Sequence, residues 1–189
     1  MTPRHAGHIV LALACAAGLS ACATTATPAA SAPPATSTAS AAVVRLAPAS
    51  GSLVSGTLDL RPMADGVHIT GEIGGLRGGG RHGFHIHEKG DCSAADASSA
   101  GGHFNPAAQP HGRAGHGAHH AGDADNLVAD GRGVAKVDTH QSGVTLGGGA
   151  ANDIAGRAVI VHAQPDDYAT QPTGNAGGRI ACGIITITR

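Results

Sequence analysis

Tryptophan is absent from this 189-residue chain, and the other aromatics are only Phe84, Phe104 and Tyr168. A core without large rings must be built from Val, Ile, Leu and Ala. Charge is scarce as well: 12 Lys+Arg stand against 13 Asp+Glu, a formal net charge of −1. That near-balance offers neither the basic stripe of a nucleic-acid-binding protein nor the basic face of a helix lying on a membrane surface. The apolar run Ile9–Leu19 is too short to span a bilayer as a helix. The Gly-X-Y period of collagen is missing, although glycine reaches 30 residues, about twice its usual share. No convincing amphipathic helix appears. What is present is glycine enough for many turns, which fits a β protein, and an excess of histidine: 13 in all, eight of them between His82 and His120.

The ends are set apart by composition. In residues 1–21 Arg4 is the only formal charge, followed by the apolar run, as in a secretory signal peptide. Leu19-Ser20-Ala21-Cys22 closes this stretch and resembles the bacterial lipobox, which implies cleavage before Cys22 and acylation of its thiol. Cleavage elsewhere, with Cys22 a free thiol, is the alternative. Residues 22–42 hold Ala, Thr, Ser and Pro with no charge and read as a disordered tether. The expected domain is therefore 43–189, with one core and a net charge of −2 once Arg4 is gone. Cys15 leaves with the signal and Cys22 takes lipid, so Cys92 and Cys182 remain in an exported domain, where disulfides persist. Two buried free thiols are the alternative.

Short alternating segments separated by turns run through the domain. Val43–Ala47, Ser52–Leu60, Val67–Ile73, Gly83–Glu88, Asn126–Ala129, Val134–Asp138, Arg157–Ala163 and Ile180–Thr188 read as strands. Ala64-Asp65-Gly66 and Asp130-Gly131 read as hairpin turns. Two long irregular stretches, 89–125 and 164–179, have the length of functional loops. The fold expected is all-β, an eight-stranded antiparallel Greek-key barrel or sandwich with two long functional loops.

The chemistry is concentrated in the histidines. His85-Ile86-His87 lies in a strand, where residues i and i+2 share a face and two imidazoles can hold one ion. His103, His111, His120 and Asp123 bring three nitrogens and an oxygen, a set that suits tetrahedral zinc. His85 and His87 with a distant His162 make an all-imidazole group of the kind that suits copper, although His162 alone reads as an ordinary strand-end histidine. Asp125 has the wrong spacing for the carboxylate ligand and reads as a residue leading into the next strand. His82 reads as a loop or strand-edge histidine. His68 and His140 read as solvent-facing.

Five blocks, Gly83-Phe84-His85-Ile86-His87-Glu88, Gly102-His103-Phe104-Asn105-Pro106, His120-Ala121-Gly122-Asp123, Gly156-Arg157-Ala158-Val159-Ile160-Val161-His162 and Gly174-Asn175-Ala176-Gly177-Gly178-Arg179-Ile180-Ala181-Cys182-Gly183, resemble the copper/zinc superoxide dismutases in order and spacing. The resemblance implies copper on His85, His87, His103 and His162, and zinc on His103, His111, His120 and Asp123, with His103 bridging the two ions. It implies that Asp166 links His85 to His111 from outside the ions, that Arg179 faces the copper channel, and that Cys92 and Cys182 are bridged. His116 and His119 match no family role. The segment Asp166–Thr173 is shorter and less charged than the electrostatic loop of animal enzymes, which with the lipobox points to the bacterial periplasmic branch. Lys89 could then attract substrate or be an ordinary surface lysine. The expectation is a lipid-anchored periplasmic superoxide dismutase with copper and zinc as cofactors, superoxide as its small-molecule partner and no nucleic acid. Monomer and homodimer both remain open. The rival is a periplasmic copper/zinc buffer without turnover.

Overall fold

The computed structural model describes residues 35–189. The expected signal peptide, the lipidated Cys22 and most of the tether lie outside the described residues. β1 (Ala42–Pro48), β2 (Ser55–Met63) and β3 (Gly66–Gly74) form an antiparallel meander, and β2 turns into β3 at the expected Ala64-Asp65. The period of two is visible in β2, where Leu58 and Leu60 are buried while Thr57, Asp59 and Arg61 face solvent. β4 (Arg81–His82), β5 (Phe84–His87), β6 (Leu127–Val128), β7 (Ala135–Ser142), β8 (Ala158–His162), β9 (Arg179–Ile184) and β10 (Thr186–Ile187) follow. The main sheet has eight strands in the order β5-β8-β9-β1-β2-β3-β7, with β10 alongside β1, and β4 pairs with β6 in a separate ribbon. Every paired strand is antiparallel.

The sheet curls as a half-barrel around one apolar core, the all-β Greek-key arrangement expected. Leu58, Leu60, Ile69, Ile73, Phe84, Ile86, Leu146, Ile154 and Ile185 fill it. Each such side chain contributes roughly 1.5–3 kcal/mol by leaving water. β8 (Ala-Val-Ile-Val-His) is buried at all five positions because both its faces are covered. Val159 and Val161 join the main core, while Ala158 and Ile160 join a second small cluster with Ala97, Ala100 and Cys182. That cluster lies under the 3-10 turn Ser98–Ala100, the only helix-like element among the described residues. The Cys92–Cys182 disulfide, with Cα atoms 5.8 Å apart, fastens this loop to β9.

Some sequence expectations need correction. Asp130-Gly131 does form a turn, with the Asp130 carboxylate accepting from the Arg132 and Val134 N–H groups. Its flanking strands do not pair with each other, because β6 pairs with β4 and β7 with β3. The single strand expected over 180–188 breaks at Ile185, which turns into the core and exchanges backbone hydrogen bonds with Gly156 and Arg157. A third irregular stretch, 143–157, connects β7 to β8 across the half-barrel. Asp153 organises it by accepting from the Gly147, Gly149 and Ala155 N–H groups. The domain also begins earlier than residue 43. Thr38 and Ala39 both donate to the Leu146 carbonyl, and the Ser37 hydroxyl accepts from Leu146 N–H.

Candidate metal centre

β5 ends the sheet order, so only β8 lies beside it as a strand. Its free edge is occupied by the loop that follows. Ile86 N–H donates to the Gly122 carbonyl at 2.9 Å, and Phe104 N–H donates to the Ile86 carbonyl at 2.8 Å. These contacts set His85 opposite Asp123 and His87 opposite His103 as isolated bridges. Gly122 is required here, because a Cβ on it would collide with the Ile86 carbonyl. On the other side, His162 N–H donates to the Gly83 carbonyl at 2.9 Å and sets the end of β8 opposite Gly83, two residues before His85.

Two groups of ligand-type side chains result, all buried: His85, His87, His103 and His162 in one, and His103, His111, His120 and Asp123 in the other. Within each, one ligand atom per residue lies within 4.8 Å of every other. Five buried imidazole nitrogens lack a hydrogen-bond partner among the described residues, and four belong to the first group: His85 Nδ1, His87 Nε2, His103 Nε2 and His162 Nε2. Such atoms are rare in folded proteins and call for a physical reason. The opposite ring nitrogens supply it. His87 Nδ1–H donates to the Gly101 carbonyl at 2.9 Å, His162 Nδ1–H to the Gly177 carbonyl at 3.2 Å and His85 Nε2–H to Asp166 Oδ2 at 2.7 Å. Each ring is thereby fixed in the tautomer that turns a lone pair inward, as a metal ligand requires. Burial, then neighbouring imidazoles, lowers the pKa of His85 to about 4, of His87 to about 2 and of His162 to about 3, so these lone pairs stay unprotonated.

The second group is built around one carboxylate oxygen. Asp123 Oδ1 lies 2.8 Å from His103 Nδ1, 3.0 Å from His111 Nδ1 and 3.2 Å from His120 Nδ1. Its partner Oδ2 accepts from the His120 and Gly112 N–H groups. Burial opposes the charge on Asp123, but hydrogen bonds from His103 and His111 outweigh it and hold the carboxyl well below its usual range. His111 sits between two carboxylates, because its Nε2 also donates to Asp166 Oδ1 at 3.0 Å. Burial lowers its pKa, yet Asp123 and Asp166 prevail and raise it to about 9. Three nitrogens converging on one anionic oxygen fit a dication, and His103 presents one nitrogen to each group.

Asp166 links His85 to His111, with one carboxylate oxygen on each ring. Gly174 makes room for this link, since a Cβ there would strike the Asp166 carboxylate. Arg179 donates from Nη1 to the Ala97 carbonyl and from Nη2 to the Gly101 carbonyl, both at 2.6 Å. The Gly101 carbonyl therefore orients both Arg179 and His87, and the disulfide-fastened loop carries it.

Three amide side chains around the centre escape sequence reasoning. Buried Gln141 donates from Nε2 to the Ala121 and Asp123 carbonyls, each at 2.7 Å. Asn126 pairs with the backbone of Asp166 in both directions. Gln171 does the same with the backbone of His111. The one available signal was for Gln141, a polar residue at an inward position of β7. His82 ends β4 in the two-stranded ribbon and is buried, and its Nδ1–H donates to the His162 carbonyl at 2.9 Å.

His116 and His119 stay outside both groups, as does Asp125, which pairs with Arg113 at 2.8 Å. His68 and His140 lie opposite each other on β3 and β7 and pair with Asp138 and Asp65. Lys89 is exposed just beyond β5.

The family model for copper/zinc superoxide dismutase matches residues 54–185. Among solved structures, the chain is similar to a SOD-like protein from Bacillus subtilis, at 39% identity over 76% of this chain and 97% of that one, with a TM-score of 0.69. It is similar to a double mutant of that protein with two introduced histidines, at 40% identity over 76% of this chain and 96% of that one, TM-score 0.70. It is also similar to the clock protein EA4, at 39% identity over 81% of this chain and 98% of that one, TM-score 0.71.

Proposed function

We propose that this chain, which belongs to the copper/zinc superoxide dismutase family, converts two superoxide anions and two protons to oxygen and hydrogen peroxide. The observation that carries the reading is the set of four inward imidazole nitrogens without partners. In this reading His85, His87, His103 and His162 hold copper, and His103, His111, His120 and Asp123 hold zinc. Copper would supply the one-electron exchange that superoxide needs, and zinc a fixed charge without redox chemistry.

The chain's own residues do the rest. His103 Nε2 faces the first group while Nδ1 is committed to the second, so a proton can be held or released at Nε2 alone. Arg179 keeps a full positive charge next to the first group while two carbonyls restrain its guanidinium. It can orient a small anion there without moving. Asp166 keeps the outer nitrogens of His85 and His111 occupied, so neither ring can turn over.

The sequence pattern supports export, a lipid anchor at Cys22 and a bacterial periplasmic location. A buffer without turnover is the second reading, favoured by His116 and His119 in the loop that carries His111 and His120. Superoxide loss catalysed by purified full chain, with copper and zinc counted, decides between them. His120→Ala should lose the second metal first and keep detectable activity. Loss of copper with zinc retained would reverse the assignment of the two groups.

A further inference from the structure

Two long loops meet over the second group, where the His111 ring of one bonds to Asp166 of the other. Gln171 adds a contact of another kind. It sits on the surface in the second loop and touches no ligand-type atom. Its Oε1 accepts from the His111 N–H at 2.8 Å, and its Nε2 donates to the His111 carbonyl at 2.9 Å. One planar amide therefore satisfies both backbone groups of a residue that belongs to no strand, as a neighbouring strand would. His111 is thus held at its backbone by Gln171, at Nε2 by Asp166 and at Nδ1 by the second group. Asn126 makes the reciprocal clasp from the first loop. It donates from Nδ2 to the Asp166 carbonyl at 2.8 Å and accepts from the Asp166 N–H at 2.7 Å. Each loop thus pins the one residue of the other that the His111–Asp166 bond joins.

We infer that Gln171 is a positioning residue for the second metal group, which fixes His111 through its backbone and so sets how long the ion in that group is retained. This rests on the metal-centre reading above. Residues that orient a ligand typically alter metal affinity by about 10–100-fold when removed. The effect falls on the second group because Gln171 grips His111, which the first group does not contain.

The test uses the full chain loaded with copper and zinc, compared with Gln171→Ala and Gln171→Met. Methionine keeps the length and bulk of glutamine without its amide. Gln171 is exposed, and thermal unfolding of each metal-free protein checks that the variants fold. Zinc release to a chromophoric chelator should accelerate about 10–100-fold in both variants, with copper retained at the wild-type level. Cobalt in place of zinc should show an altered visible spectrum in both. Wild-type release from Gln171→Met would reduce the role to packing and overturn the inference. Equal loss of copper and zinc would overturn it too, by making the clasp a general support of the loops. Wild-type protein that takes up no second ion would instead overturn the metal-centre reading itself, and this inference with it.

Discussion

His111 and the imidazoles of the first group respond to protons in opposite directions. The pKa of His111 in the fold, about 9, stands above the ordinary 6.5, so its contribution to stability is full below pH 6.5 and is lost as pH rises through 9. His85, His87 and His162 have values of about 4, 2 and 3, below the ordinary 6.5. Their contribution is full above pH 6.5 and is lost as pH falls towards those values, because the unfolded chain takes up protons first. Metal-free protein should therefore be most stable near pH 6–7 and weaken on both sides. Urea unfolding of the metal-free chain from pH 4 to 10 checks this, and a flat profile would count against it. Arg179 gives a second prediction at this scale. Arg179→Ile should lower the rate by roughly tenfold or more with copper still bound, and Arg179→Lys should retain more activity because it keeps the charge. Rates normalised to copper content decide it, and three equal rates would leave Arg179 a structural residue. His85 and His87 were legible from their alternation in one strand, and His103, His111, His120 and Asp123 from their grouping in one long loop, whereas His162 alone reads as an ordinary strand-end histidine and only the family resemblance assigns it. Gln141, Asn126 and Gln171 were not legible, because each bonds to backbone 18 to 60 positions away, and an amide can meet any backbone.

Among the elements, the free edge of β5 matters most. An unpaired strand edge exposes a row of backbone donors and acceptors, and here the loop carrying His103, His120 and Asp123 covers it. Gly122→Ala should therefore cost about 1–3 kcal/mol by overpacking and weaken binding in both metal groups. Gly131→Ala, where an added Cβ meets nothing within 4 Å, should be nearly neutral in the same urea and metal titrations. The disulfide acts on the same loop from its other end. It joins residues 90 apart, for which the chain-entropy estimate is about 4–5 kcal/mol. Cys92→Ala and Cys182→Ala should share one destabilisation that the double variant does not enlarge, and additive losses would show separate roles. The long strands were legible from their alternation. β6 was legible within the strand expected over 126–129, but its partner β4 was not, since a two-residue strand carries no period. The break at Ile185 was equally hidden, because an isoleucine suits a strand and a core position alike.

For the whole molecule, the domain carries a net charge of −2 and its substrate in the proposed reaction is an anion. Any attraction must then come from local cations such as Arg179, and exposed charges are screened over about 10 Å at 0.1 M salt. Replacing Cys22 by serine should release the protein from membranes with its activity intact. Retention of that variant after high-salt washing would exclude a lipid anchor at Cys22. The single ring of His103, set between the two groups, has a further consequence for the molecule as a unit. Occupancy of one group and affinity at the other are thermodynamically linked through it. With the two groups loaded as proposed, whatever factor copper applies to zinc binding, zinc must apply to copper binding. Titration in either order must then reach the same total free energy, and half-loaded molecules will be scarce or abundant according to the sign of that one coupling.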